Sequence, residues 1–411
     1  MIYTLIGGLY LIFFIWSSLK KTRLYKLLIV TAVLNVLFQS YGFELVALPL
    51  GSVSLYASDI VILLMLAYLI QKGTIKKSNI NIVLSLIFAI ILMSICSGII
   101  FFGLSSEVLN DIRVFIRMIV PIIYFSNNPV KLDESTKQFA LNVLKCFVLY
   151  CYFALLMQIL FGISFAASND GQGGGLRVIG SDGACLLAVI DLYFIYNYIQ
   201  GKKERLSGII FITLLIVILQ HNSVWIAFFG GVIVLMLVPL RSKLKKKNKL
   251  KLVFYSIFVI AISFIIITRT QFGNVLLEKM STSFQKFSMV NQSMGTIGNR
   301  QNVWRKLIMS LDGIEWIFGK KMGSGWIYPP HSGYVQGLMR MGILGTGLLF
   351  GLLIFVGIRS LFYEKYEICS LIVATLLYMI TYMFSLELSC VWGGLIGVAL
   401  LKSNKNRRGK D

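Results

Sequence analysis

Residues Asn79–Gly103 read NINIVLSLIFAIILMSICSGIIFFG, 25 consecutive positions without a charged side chain. A helix rises 1.5 Å per residue, so about twenty apolar residues cover the hydrocarbon of a bilayer. Working outward from this run, comparable apolar segments bounded by charge or by Gly, Pro or Asn recur along the whole chain. They lie near 2–19, 27–41, 54–71, 79–103, 109–126, 138–161, 178–199, 206–222, 224–240, 252–268, 341–358, 367–385 and 388–401. The 411 residues are 57% hydrophobic and only 14% charged, whereas soluble domains carry charge on roughly a quarter of their residues. The expected fold is an all-α polytopic membrane protein of about 12–13 transmembrane helices, a single integral membrane domain over 1–411.

Charge placement sets the expected orientation. Lys20, Lys21, Arg23 and Lys26, then Lys72, Lys76 and Lys77, then Lys202, Lys203 and Arg205, then the segments 241–251 and 402–410, all fall on one side of the alternation. That side is cytoplasmic by the positive-inside rule. The net charge of +22 is then mainly a topology signal, and a nucleic-acid partner is not expected. Residues 1–19 lack a basic start and a small-residue cleavage site, so the first span reads as retained. The six cysteines, Cys96, Cys146, Cys151, Cys185, Cys369 and Cys390, lie within or at the ends of spans without a CxxC pair. They read as small buried apolar residues, with neither a disulfide framework nor a metal site.

One polar segment interrupts this pattern. Residues 268–341 form a large loop expected on the extracytoplasmic face and expected to contain short helices. Its basic residues are Arg269, Lys279, Lys286, Arg300, Arg305, Lys306, Lys320, Lys321 and Arg340, against Glu278, Asp312 and Glu315. Positive-inside bias disfavours such an excess outside, which suggests either an anionic partner or a solvated basic loop in a Lys-rich protein. Asn299 is placed to cap a helix from Arg300 to about Leu311, with Val303, Leu307, Ile308 and Leu311 as its apolar stripe and Gly313 as its stop. Arg300 would then occupy the first turn, either serving an anion together with free N–H groups or turning outward. Pro329-Pro330 breaks the chain before His331, and a helix is expected to start at Ser332. A histidine there, with an unperturbed pKa of about 6.5, can take a proton from a hydroxyl, or is an ordinary cap or loop residue, the reading preferred on these residues alone.

Other positions carry weaker signals. Arg113 and Arg117 share a face in the outer half of the fifth span, which fits either anion binding or an ion pair with Asp111 or Glu107 and snorkelling to the interface. Asp59 reads as a helix cap and His221 as an interfacial hydrogen-bonding residue. Arg177 is the basic residue in the Gly-rich loop 167–183, where a guanidinium can offer a bidentate fork to a phosphate or pair with ordinary lipid. Metal ligation and a Ser-His-Asp hydrolase find no support, since no His pair sits at ligand spacing and no Gly-x-Ser-x-Gly elbow occurs.

Four stretches together resemble the O-antigen ligase and Wzy-type polysaccharide polymerase superfamily. They are Arg177-Val-Ile-Gly-Ser-Asp-Gly183, Gly298-Asn-Arg-Gln-Asn-Val-Trp304, Ile317-Phe-Gly with Met322-Gly-Ser-Gly325, and His331-Ser-Gly-Tyr-Val-Gln-Gly-Leu-Met-Arg-Met-Gly-Ile-Leu-Gly345. The sequence departs from the family pattern at Ser332, where Asn is usual, and at Asn222-Ser223, where Ser-Arg is usual. It also has thirteen candidate spans where about twelve are common.

The resemblance implies a GT-C-like fold in the plasma membrane and a glycosyltransferase that needs neither metal nor cofactor, with its active site facing outside. Donor and acceptor would be undecaprenyl-diphosphate-linked glycans, and a chain-length regulator or a flippase would be a partner. Arg177 and Arg300 match family arginines that hold the diphosphate, with Arg113, Arg117 and Arg305 as further candidates. His331 matches the histidine that activates the acceptor. A repeat-unit polymerase for capsule or exopolysaccharide is the first expectation. A ligase moving finished glycan to another acceptor shares the chemistry, and a lipid-linked oligosaccharide flippase is the alternative from another class. The large asymmetric loop and the lack of an evident internal repeat argue against a flippase.

Overall fold

The computed structural model describes residues 47–50, 53–72, 79–127, 134–161, 178–201, 206–219, 221–241, 296–325, 330–382 and 389–404. These residues form one antiparallel hairpin, β1 (Ala47–Leu50) and β2 (Val53–Tyr56), and a set of helices. The helices are α1 (Ala57–Lys72), α2 (Asn79–Phe102), α3 (Ser106–Asn127), α4 (Glu134–Phe161), α5 (Ser181–Ile199), α6 (Leu206–Ile218), α7 (Asn222–Arg241), α8 (Thr296–Met309), α9 (Glu315–Phe318), α10 (Gly333–Phe362), α11 (Tyr366–Thr381) and α12 (Ser389–Asn404). The expected spans near 2–19, 27–41 and 252–268 lie outside the described residues.

Among the described residues, four segments are long and apolar enough to cross a membrane: Asn81–Phe102, Leu141–Phe161, Ser181–Ile199 and Gly333–Phe362. Shorter apolar helices at 59–71, 206–218, 223–237 and 366–381 accompany them. On α4, Leu149, Phe153, Leu156 and Leu160 recur at helical spacing and are all exposed. An outward stripe of that kind is costly in water and suited to lipid.

Small residues bring the helices into close contact, as packing between apolar helices requires where no hydrophobic gain remains to be made. A methyl added at Gly393 on α12 would sit 2.2 Å from the Met118 carbonyl oxygen on α3. On α11, Ser370 Oγ donates to the Gly231 carbonyl on α7 at 2.9 Å. Asp191, in the middle of α5, is fully buried and accepts a hydrogen bond from Thr213 Oγ1 on α6 at 2.6 Å.

Two boundaries differ from expectation, each for a local reason, and a third agrees. The span read at 54–71 becomes helical only at Ala57, because its first residues pair in the hairpin, with Pro49 opposite Ser54. Asp59 therefore lies inside the first turn of α1, past the capping position. The helix read from Arg300 begins at Thr296, which moves Arg300 into the second turn and removes the reason to expect an anion at its N-terminus. The helix expected to start at Ser332 and run into the span at 341–358 starts at Gly333, with Ser332 at the capping position. At 30 residues α10 is about 45 Å long, more than a hydrocarbon core needs. It breaks at Gly342, whose φ of 63° is open to glycine and places its backbone against the Ile317 carbonyl.

Candidate functional site

The polar segment is fastened to the helices between Arg300 and His331. Gly319 has φ 83° and lets Lys320 N–H donate to the Met339 carbonyl at 2.6 Å. Met322 is fully buried against α2, where its N–H meets the Ser94 carbonyl at 3.4 Å. Ser94 Oγ donates in turn to the Lys320 carbonyl at 3.2 Å. Asp111 on α3 accepts from Gly323 N–H at 2.9 Å and pairs with Arg340 Nη2 at 2.6 Å. Arg340 Nη1 donates to the Lys321 carbonyl at 3.1 Å and to Ser324 Oγ at 2.7 Å. The Met322-Gly-Ser-Gly325 stretch is thus a plug held between α2, α3 and α10.

This pairing also corrects the partners expected for Arg113 and Arg117. Asp111 stands two positions from Arg113, and residues at that spacing do not face each other on a helix. Asp59 takes both arginines instead. Arg117 Nε and Nη2 lie 3.0 and 2.7 Å from Asp59 Oδ1, and Arg113 Nε lies 3.3 Å from Oδ2. Arg117 is buried, so the pair ties α1 to α3.

Arg300 is held differently. It lies on α8, which docks on α10 as Leu307, with Leu311 just past the helix end, packs against Val335 and Met339. That is most of the apolar stripe expected from the sequence. One turn after Arg300, Trp304 Nε1 donates to the Pro330 carbonyl. Arg300 Nη1 donates to the Thr381 carbonyl at the end of α11 at 3.1 Å, and its guanidinium carbon lies 5.9 Å from the Tyr382 ring centroid. No acidic side chain among the described residues pairs with it. The result is a half-buried cation, fixed in place, with donors to spare.

His331 follows Pro330 directly and is exposed, with φ 45°. A left-handed residue other than glycine costs energy and is often found at functional sites. Ser332 has the extended backbone of a cap, but its hydroxyl donates to the Met379 carbonyl at 3.3 Å. Gly333 N–H donates to the Tyr382 carbonyl at 2.8 Å. Arg300 and the residues after His331 therefore grip the adjacent residues Thr381 and Tyr382.

The same corner gathers the start of α5 and the α6–α7 turn. His221 Nε2 lies 3.0 Å from the Ile179 carbonyl, the hydrogen-bonding role its position suggested. Thr381 Oγ1 donates to Ser223 Oγ at 2.6 Å. Tyr378 OH donates to Asp182 Oδ1 at 2.6 Å, with both residues buried, and its ring stacks on Tyr382 at 4.9 Å and 4°. Arg177 lies outside the described residues; the neighbouring Val178 and Ile179 are buried in this corner. Arg305 is exposed on α8, five positions and about 140° around the helix from Arg300.

Three of the residues that build the corner, Tyr378, Thr381 and Tyr382, carry no motif in the sequence, whereas Asp182 belongs to the stretch 177–183. The available signal was the i, i+4 spacing of Tyr378 and Tyr382 at the end of an otherwise aliphatic span. No family model matches this chain, and no curated protein sequence matches it.

Proposed function

We propose that this chain is a metal-independent glycosyltransferase of the polysaccharide-polymerase type, GT-C-like in architecture. It joins undecaprenyl-diphosphate-linked repeat units on the outer face of the plasma membrane. The observation that carries this reading is the immobilised arginine without an acidic partner among the described residues, Arg300, placed at the same corner as the exposed His331. An acceptor hydroxyl attacks the anomeric carbon of the donor glycan, the bond from that carbon to the diphosphate oxygen breaks, and His331 takes the hydroxyl proton. Charge develops on the departing diphosphate, where a fixed guanidinium in a poorly hydrated site is most effective. Arg177 is assigned to the same diphosphate. Arg113 and Arg117 already serve Asp59 and are assigned to holding the fold.

Substitution in the producing cell tests this directly. His331→Ala and Arg300→Ala should each abolish long polymer while membrane insertion and single lipid-linked repeats persist. Full-length polymer from either variant would remove that residue's role.

A further inference from the structure

We propose that Tyr382 is a positioning residue for Arg300, and that the buried Tyr378–Asp182 pair behind it fixes the guanidinium relative to the start of α5. This rests on the reading of Arg300 as the diphosphate ligand. An arginine that must meet an anion cannot also be held by a carboxylate, because the carboxylate would compete for the same fork. A carbonyl and an aromatic face restrain it without cancelling its charge. Arg300 has both: the Thr381 carbonyl at 3.1 Å and the Tyr382 ring at 5.9 Å.

The restraint is itself braced. Tyr382 lies flat on Tyr378, whose ring also meets Trp392 of α12 at 6.3 Å. Tyr378 is 1% exposed, and its hydroxyl is tied to Asp182 in the first turn of α5. Tyr382 N–H donates to the Tyr378 carbonyl at 3.1 Å, and the Thr381 hydroxyl bonds Ser223. Three elements therefore set where the guanidinium points: α5 through Asp182, α7 through Ser223 and α12 through Trp392. The stack lets the motif that opens α5 and the motif on α8 act on one ligand.

Binding of inorganic pyrophosphate to the purified full chain, followed by calorimetry with a thermal melt for each variant, tests this. Tyr382→Leu should weaken binding about tenfold, the scale of a partly desolvated cation–π contact plus the lost restraint. Tyr382→Phe should bind like the wild type, because the ring is retained. Tyr378→Phe removes only a hydroxyl and should fold; it should weaken binding about threefold. In an Arg300→Ala background, Tyr382→Leu and Tyr378→Phe should cause no further loss, because their effect runs through the arginine.

Wild-type affinity in Tyr382→Leu, equal losses in Tyr382→Phe and Tyr382→Leu, or losses that add to that of Arg300→Ala would overturn the positioning role and leave the diphosphate site standing. Absence of pyrophosphate binding by the wild type would remove the site and the positioning role together.

Discussion

Arg340 and Arg300 carry the same charge in the same polar segment, and their partners separate their roles. Arg340 is 1% exposed and paired with Asp111 at 2.6 Å, so neutralising Asp111 takes a carboxylate away from a buried cation. Breaking a buried pair in this way costs about 3–5 kcal/mol. Asp111→Asn should accordingly lower the denaturation midpoint of the purified protein sharply; an unchanged midpoint would show the pair to be dispensable. Arg300→Lys should keep the fold and lose most of the polymer, by about tenfold or more, because a lysine cannot bond the Thr381 carbonyl and present a planar fork to an anion at once. Polymer yield at matched expression reads this, and full activity in the lysine variant would contradict it. Arg300 and His331 stand out in the sequence because each looks out of place, a cation on the side expected to disfavour it and a histidine after a Pro-Pro break. The ring under Arg300 was not visible, since a tyrosine at the end of a span is ordinary at a membrane interface. Nor was the Asp111–Arg340 pair, whose members are distant in sequence and meet only when α3 and α10 pack.

At the scale of elements, the apolar runs were long enough to place the helices, and their ends were decided by tertiary contacts. The run at 79–103 becomes the helix Asn79–Phe102. The helix expected from Ser332 begins at Gly333, and Val335 and Met339 in its first turns have a partner in the segment that carries α8. The break at Gly342 is the element on which this arrangement turns. An added methyl would lie 2.1 Å from the Ile317 carbonyl oxygen on a backbone at φ 63°. Gly342→Ala should therefore destabilise by at least about 1–3 kcal/mol. Gly347→Ala, where nothing lies within 4 Å, should be neutral or slightly stabilising on the same helix. Paired thermal melts check the contrast, and equal behaviour of the two variants would mean that the break carries no constraint.

For the whole molecule, the hydrogen bonds that join Asp182 to Tyr378, Ser223 to Thr381, and Arg300 to Thr381 bring four distant parts of the chain to one end of the bundle. The proposed function puts that end outside, which is also the side expected from the placement of the basic segments. Single cysteines placed at Asp312 and His331 in a cysteine-free background should react with a membrane-impermeant thiol reagent in intact cells. Cysteines at Gly201 and Glu364 should react only after permeabilisation. The reverse pattern would invert the topology. The central claim, glycosyl transfer between lipid-linked repeats without metal, is tested most directly by reconstituting the purified chain with synthetic undecaprenyl-diphosphate repeat units in the presence of a chelator. A ladder of products that lengthens with time and is lost in His331→Ala is the predicted result. Movement of the lipid across the bilayer without a new glycosidic bond, or a ladder that disappears on chelation, would contradict it.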